Sequence, residues 1–417
     1  MIRKISSGNL VFLFALLIIF ISATCTRREP EKQGFGFPKT LIPNGIGVNI
    51  HFRGAPEKDL ELLKDAHIKL IRADLTWAGV EREKHNYDFT GYDELVLSME
   101  RQGARILFIL DYKNRLYGKE KSISTDMQRK AFANYAAEAA KHYKGRGVIW
   151  EIWNEPNIAK FWGDEPDPND YMKLLSVTCK AIRKTDPSSI IVAPATVGCD
   201  RGFIENCAKE GLFELVDGIS VHPYREGGPE SVVKCYEGLR KLMNKYVPPG
   251  RVKPKMVSSE WGWGLTYLDL ENLGTRHAEI KQAEYLTRRF CIEAYAGVVC
   301  AIHYKWRENN HGLIRSNYKL KPAYTAFKVL NEQLTGYGNT ISRLEIGDKE
   351  TNFLFIFKGP KGKKLVAWRT EGKETVSIPF RIKKAKAVDF LGRTIGFEMK
   401  DKSVALELTE QPVFIEY

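Results

Sequence analysis

A chain of 417 residues that is 43% hydrophobic and 11% aromatic has a globular composition, and the absence of low-complexity tracts excludes a disordered protein. Its 64 basic and 51 acidic residues give a formal charge of +13, a balance that suits nucleic acid, anionic lipid or an acidic polysaccharide. With no run of five or more like charges and no recognisable nucleic-acid module, nucleic acid is set aside as a partner and the charge reads as a solvated basic surface.

Residues 1–24 read as an export signal. Arg3 and Lys4 precede an almost wholly apolar run at 10–21, and the small residues Ser22-Ala23-Thr24 lead into Cys25. That run is well short of the roughly 20 residues a membrane-spanning helix needs. Cys25 after small residues resembles a bacterial lipoprotein box, although Ser22 stands where leucine is usual and Thr24 where glycine or alanine is. The expected location is therefore exported: a cell-envelope lipoprotein touching the membrane only through Cys25, or a free periplasmic or extracellular protein. A retained anchor is the remaining alternative. A linker at 25–40 follows.

From residue 45 to about 330 one rhythm repeats, an apolar strand, a polar turn and an amphipathic helix. The candidate strands are GIGVNIHF from Gly45, IKLIRADL from Ile68, ARILFIL from Ala104, VIWEIWN from Val148, SIIVAPAT from Ser189, VDGISVHP from Val216, KPKMVSSE from Lys253 and GVVCAIHY from Gly297. Helices are predicted at 57–68, 92–103 and 131–145, among others. Continuous apolar strands alternating with helices make a parallel sheet covered on its faces. Eight units of roughly 36 residues fit a (β/α)8 TIM barrel of about 250 residues, assigned to 41–332. The first strand ends in IHFRGAP rather than a glycine-rich phosphate loop, which argues against a doubly wound sheet. After that, short runs such as NFLFIFKG, KKLVAWRT and PVFIEY predict a small antiparallel, β-sandwich-like accessory domain at 333–417. Its expected role is support of the barrel, with glycan binding the alternative.

Beyond Cys25, Cys199 and Cys207 lie close enough in sequence to staple a loop in an oxidising compartment, whereas Cys179, Cys291 and Cys300 sit in apolar patterns and read as buried thiols. No C-x-x-C or other ligand spacing appears, so no metal and no cofactor are expected. The chain is expected to be a monomer.

In a barrel enzyme the chemistry lies at the C-terminal ends of the strands. Glu155 falls there on the fourth strand and Glu260 on the seventh. Their separation, 260 − 155 = 105 residues, is three units of about 35. Two carboxylates converging on one cleft suit glycosidic bond hydrolysis, one exchanging a proton and the other attacking the anomeric carbon. Glu151 lies on the same strand a layer deeper; strand alternation places 151, 153 and 155 on one face. A buried carboxylate needs a cationic partner. Arg72, ending the second strand, is a candidate for Glu151, Asp74 or Glu260.

Trp153-Asn154-Glu155-Pro156 resembles the N-E-P signature of the clan A retaining glycoside hydrolases. The resemblance extends through RADLTWAGVE after strand two, HPY after strand six, EWGW after strand seven, YKW after strand eight and KPAYTAF opening the last helix. It is closest to family 39, the β-xylosidase and exopolysaccharide-hydrolase group, with the cellulase-like family 5 next. It implies that Glu155 is the general acid/base and Glu260 the nucleophile of a double displacement at β-glycosidic bonds. By it, Asn154 would meet the sugar 2-hydroxyl, Tyr224 would hydrogen-bond the nucleophile, Arg72 would pair with Glu260, and Trp306 would be the aromatic platform at the cleavage point. His222 would contact substrate or orient a carboxylate. Trp162 and Trp263 are further subsite candidates, as are Trp77 and Trp261 if they are not rim packing. Family 5 enzymes usually carry a histidine after strand three, where this sequence has Asp111 and Tyr112. The expected partner is a carbohydrate substrate, a poly- or oligosaccharide. Two alternatives use the same residues, a transglycosylase on a cell-surface polysaccharide and a non-catalytic glycan-binding barrel.

Overall fold

The computed structural model describes residues 35–118, 123–268, 274–379, 386–400 and 403–416. The export signal, Cys25 and most of the expected linker lie outside them. Among the described residues no helix is long and apolar enough to cross a membrane.

Eight parallel strands close into a barrel in chain order: β1 (Ile46–Asn49), β2 (Leu70–Thr76), β3 (Arg105–Asp111), β4 (Ile149–Ile152), β5 (Ile190–Val197), β6 (Gly218–His222), β7 (Lys255–Trp261) and β8 (Val298–His303). β8 pairs with β1 to complete the ring. Each strand coincides with its predicted run, β2, β3, β5 and β7 extending one residue past it to Thr76, Asp111, Val197 and Trp261, because these stretches are apolar enough to be covered on both faces. Eight helices complete the units: α1 (Glu57–Asp65), α2 (Thr90–Arg101), α3 (Asp126–His142), α4 (Pro168–Thr185), α5 (Arg201–Lys209), α6 (Val233–Tyr246), α7 (Thr275–Tyr295) and α8 (Pro322–Leu334). α3 starts earlier than its apolar periodicity indicated, because Thr125 and Gln128 form a reciprocal capping box.

Two apolar layers hold the barrel. The larger lies between strands and helices. The smaller fills the interior, with Leu70, Leu107, Ile149, Val192, Val257 and Ile302 in one cluster. Gly218 faces that interior, and Phe37 sits about where its side chain would be: a Cβ there would stand 3.0 Å from the Phe37 ring. Arg72 and Glu151 stand level with the top of this plug, since Arg72 pairs in register with Leu107, and Glu151 with Ile109 and Val192. Polar chemistry is thereby confined to the top of the barrel.

The C-terminal strands form two antiparallel sheets. One orders β9 (Thr340–Arg343), β10 (Asn352–Gly359), β11 (Gly362–Arg369), β16 (Val413–Glu416) and β13 (Lys386–Asp389); the other orders β12 (Glu374–Ile378), β15 (Ser403–Leu408) and β14 (Glu398–Lys400). Alternation on β10 sorts the faces. Leu354 and Ile356 join Leu365, Val376 and Leu406 between the two sheets, while Phe353, Phe355 and Phe357 pack into the large barrel cluster. The inner sheet is therefore buried on both faces, and Trp368 donates its indole N–H to Glu230 of the barrel at 2.8 Å.

One expectation is overturned. Cys199 bonds to Cys235, with Cα atoms 5.8 Å apart, while Cys207 is a buried free thiol. Cys207 lies six residues into α5, and at 1.5 Å per residue the helix carries it roughly 9 Å beyond the start at Arg201, away from Cys199 and too far for a disulfide. Cys235, at the start of α6, faces the β5 loop. Cys179, Cys291 and Cys300 are buried thiols as expected.

Candidate active site

The site forms where five strand ends deliver polar side chains around Arg72. β4 stops at Ile152, and the next residues turn sharply: Trp153 and Glu155 both have left-handed backbones, φ 70° and 48°. Such conformations cost non-glycine residues about 1–3 kcal/mol and persist only where the surroundings impose them. Here Trp153 is wedged among Tyr112, Phe132 and Trp162, and Glu155 N–H donates to the Ala195 carbonyl at 3.1 Å. The turn corrects the expected alternation. Trp153 leaves the face of Glu151 and packs outward, and Asn154 and Glu155 both reach the site.

Arg72 is buried and spends all five guanidinium hydrogens. Nε donates to Glu151 Oε2 at 2.7 Å, Nη1 to Glu260 Oε2 at 2.7 Å and Asn49 Oδ1 at 3.1 Å. Nη2 donates to Asn154 Oδ1 at 2.9 Å and to His222 Nε2 at 3.2 Å. Burial alone would weaken its charge; the Glu151 and Glu260 carboxylates outweigh that and hold it protonated. Both Glu151 and Glu260 are therefore its partners, which the sequence left open.

Arginine only donates, so these contacts settle the neighbours' orientations. His222 Nε2 must accept, leaving its Nδ1–H to donate to Glu155 Oε1 at 2.7 Å. Asn154 must present Oδ1 to Arg72, which leaves its NH2 to donate, on one side to the Tyr112 hydroxyl. Glu260 Oε1 accepts from the Tyr224 hydroxyl at 2.7 Å. Burial pushes the Glu260 carboxyl up. The fields of His222 and Arg72 and the bonds from Tyr224 and Arg72 outweigh this and hold it below the ordinary glutamate value. Glu155, His222 and Glu260 have ligand atoms within 4.8 Å of one another, a spacing that could hold a cation. The Arg72 charge touches two of the three, and its repulsion works against an ion there.

The tryptophans depart from expectation. Trp306 is 1% exposed and its indole N–H donates to Asp59 Oδ1 at 2.7 Å. Trp162 is 2% exposed and stands edge-on to Trp153 and Tyr171; Trp263, 3% exposed, lies between Trp261 and Tyr285. None offers an open face. The loops fold back over the helix layer, where a large apolar ring gains more from burial than at the rim. Trp77 and Trp261 are likewise packing residues. The aromatic rings half open at the barrel mouth are tyrosines. Tyr304 directly follows β8, edge-on to His51, and burial together with the Glu260 charge pushes its hydroxyl up to about 12. Tyr112 follows β3 and stacks on Phe161. The signal for Tyr304 was its place as first residue past the strand, two before the more conspicuous Trp306. Asn310 ties the loop after β8 to the one after β7, accepting from Thr266 N–H at 3.1 Å.

A second acidic pair was not foreseen. Asp111 is 0% exposed, and neither carboxyl oxygen meets a donor from the remaining side chains or backbone. It is hydrogen-bonded to Asp74, its diagonal neighbour on the inner face of β2 and β3. Two carboxylates can share a hydrogen bond only if one is protonated. Burial, then the Asp74 charge, raise Asp111 well above the ordinary aspartate value, so Asp111 is the neutral acid and donates to Asp74. Asp74 is half-buried, 3.8 Å from His51 Nδ1.

Comparison with known proteins bears on this geometry. The family model for cellulase, glycosyl hydrolase family 5, matches residues 32–267, more than half of the chain. The chain belongs to that family. The barrel and its C-terminal sheets are similar to a family 39 glycoside hydrolase from Bacteroides cellulosilyticus WH2, at 23% identity and TM-score 0.77 over 91% of this chain and 82% of that one. A family 39 β-xylosidase from Caulobacter crescentus gives 17% identity and TM-score 0.65 over 91% and 97%. A β-xylosidase from Geobacillus stearothermophilus is 34% identical over 88 residues, 20% of this chain and only 17% of that protein. Both families indicated by the motifs recur, family 5 as the matching family and family 39 among the similar folds.

Proposed function

We propose that this protein is an exported glycoside hydrolase that cleaves β-linked oligo- or polysaccharides with retention of configuration. The observation that carries the reading is the carboxylate pair: oxygens of Glu155 and Glu260 lie within 4.8 Å of each other. Retaining enzymes hold their carboxyl groups about 5–5.5 Å apart, and inverting ones about 6.5–9.5 Å, to admit a water. The environments divide the labour. Glu260, with both oxygens hydrogen-bonded and its ionised form favoured, is the nucleophile that attacks the anomeric carbon. Glu155 Oε1 accepts from His222, so its transferable proton sits on Oε2. It passes to the departing glycosidic oxygen in the first step, and Glu155 takes one back from water in the second. The Asn154 NH2, oriented by Arg72, is available to the 2-hydroxyl, where a hydrogen bond strengthens as the oxocarbenium character develops. Tyr304 is the half-open ring best placed to lie under the sugar.

Xylosides are the first substrates to test, since the curated relative with the matching segment is a β-xylosidase. The Cys199–Cys235 disulfide supports export, because such bonds persist in oxidising compartments; lipidation at Cys25 is the proposed tether. The decisive experiment is Glu260→Ala with and without azide on an activated aryl β-glycoside. Turnover should vanish and return in part with azide, yielding the inverted glycosyl azide. Unimpaired turnover in that variant would refute the nucleophile assignment.

A further inference from the structure

A cavity of about 590 Å3 opens where the loops that follow β5 and β6 meet the start of α5 and the first turns of α6. Its wall adjoins the site along the chain. Gly198 N–H bonds to the His222 carbonyl at 2.9 Å, and Cys199 comes next; Arg225 follows Tyr224 and donates to its carbonyl at 3.2 Å. The disulfide to Cys235 ties this wall to α6.

The lining is basic and uncompensated. Arg201, Arg225, Lys234 and Lys241 face one carboxylate, Glu237. Among the described residues none of these four cations forms an ion pair, whereas neighbouring bases do, as in Lys245–Glu205, Arg288–Glu230 and Arg289–Glu293. Arg225 is the clearest case. Its Nε is buried without a partner, Nη1 reaches only the Tyr224 carbonyl, and Nη2 only the Cys199 sulfur at 3.9 Å. Burial and the nearby Arg289 work against its charge. Arg201 is propped by a specific vacancy, its Cδ lying 2.9 Å from where a Cβ on Gly238 would stand. Unpaired cations crowded into a concavity focus a positive potential. Two guanidiniums among them supply the planar, paired donors that carboxylate and sulfate oxygens match.

We propose that this cavity is a subsite for an anionic substituent, a carboxylate or a sulfate ester, on the glycan that occupies the adjoining cleft. The proposal rests on the glycoside hydrolase reading for the identity of the polymer. Its test reads binding rather than turnover, so a failure to hydrolyse any glycoside would count against that reading alone.

The full chain carrying Glu260→Gln, to prevent cleavage, is titrated calorimetrically with polygalacturonate, dextran sulfate and neutral xylan at two ionic strengths. One polyanion should bind at least about tenfold more tightly than xylan, with a preference that weakens in salt; the stronger of the two identifies carboxylate or sulfate. Adding Arg201→Gln, Lys234→Gln and Lys241→Gln together should abolish that preference without altering the far-ultraviolet spectrum or the xylan affinity. Gly238→Ala, which keeps every charge but displaces the Arg201 stem, should weaken the polyanion a few-fold. Equal binding of charged and neutral glycans, or an unchanged polyanion affinity in the triple variant, would overturn the proposal. So would duplex DNA binding more tightly than either polyanion and responding to the same substitutions.

Discussion

Arg72 donates to Glu260 across 2.7 Å while its opposite edge holds Glu151 at the same distance. One guanidinium thus joins the carboxylate at the barrel mouth to one that has no access to solvent. The two contacts do different things. The inner one neutralises a buried charge that would otherwise destabilise the barrel, and the outer one orients the proposed nucleophile and favours its ionised form.

Substitution separates them. Arg72→Met leaves Glu151 buried and unpaired and should cost about 3–5 kcal/mol, together with a fall in kcat on the order of 10²–10³ from the loss of an oriented charge at Glu260. Arg72→Met with Glu151→Leu should recover most of the thermal midpoint and little of the activity. Recovery of both in the double variant would reduce Arg72 to a purely structural role.

Tyr224 acts on the charge of Glu260 through its 2.7 Å hydrogen bond. Burial raises the Glu260 carboxyl, and the hydroxyl is one of the contacts that reverse this. Since the proposed nucleophile must be ionised, activity should persist below the ordinary glutamate value and fall away as pH drops through its lowered pKa. Tyr224→Phe should move that acidic limb of kcat/KM to higher pH by about one unit. A limb that stays in place would show that Tyr224 serves shape alone.

A neutral Asp111 should be replaceable by the amide that mimics it. Asp111→Asn keeps a donor for Asp74 and should retain activity within a few-fold. Asp111→Leu fills similar space without a donor and should lose about tenfold or more in kcat/KM as Asp74 loses its orientation. The infrared difference between wild type and Asp111→Asn at neutral pH should contain a protonated-carboxyl band. An ionised-carboxylate band in its place would contradict the shared proton.

Glu284, buried on α7 against the C-terminal domain, is pushed up to about 7, chiefly by burial. The folded state therefore holds a proton that the unfolded chain has released, so stability falls as pH rises from about 4.5 to 7. Above that window the difference is on the order of 3 kcal/mol. Glu284→Gln should flatten this slope and raise the thermal midpoint at alkaline pH. An equal midpoint for both proteins above pH 7 would mean that Glu284 ionises without cost.

The sequence by itself determined the architecture and which two carboxylates share the rim, because both depend on local pattern. Apolar runs long enough only for strands, spaced by amphipathic helices, permit little besides a closed parallel barrel. Residues at strand ends then share one rim whatever the loops do, so Glu155 and Glu260 could be paired from their spacing. Tertiary structure alone decided which side chains meet across that rim. Five donors of Arg72 find five partners drawn from four other strand ends, which no spacing rule counts. Aromatic residues after strands can turn toward the cleft or back over the helices. Burial favoured the second for Trp306, Trp162 and Trp263, leaving Tyr304 and Tyr112 at the opening. Cys199 found Cys235 rather than its neighbour in sequence, because a helix carries Cys207 out of reach. The proton between Asp74 and Asp111, and the unpaired cations beside the cleft, follow from burial and from the partners each group lacks, which exist only once the chain has folded.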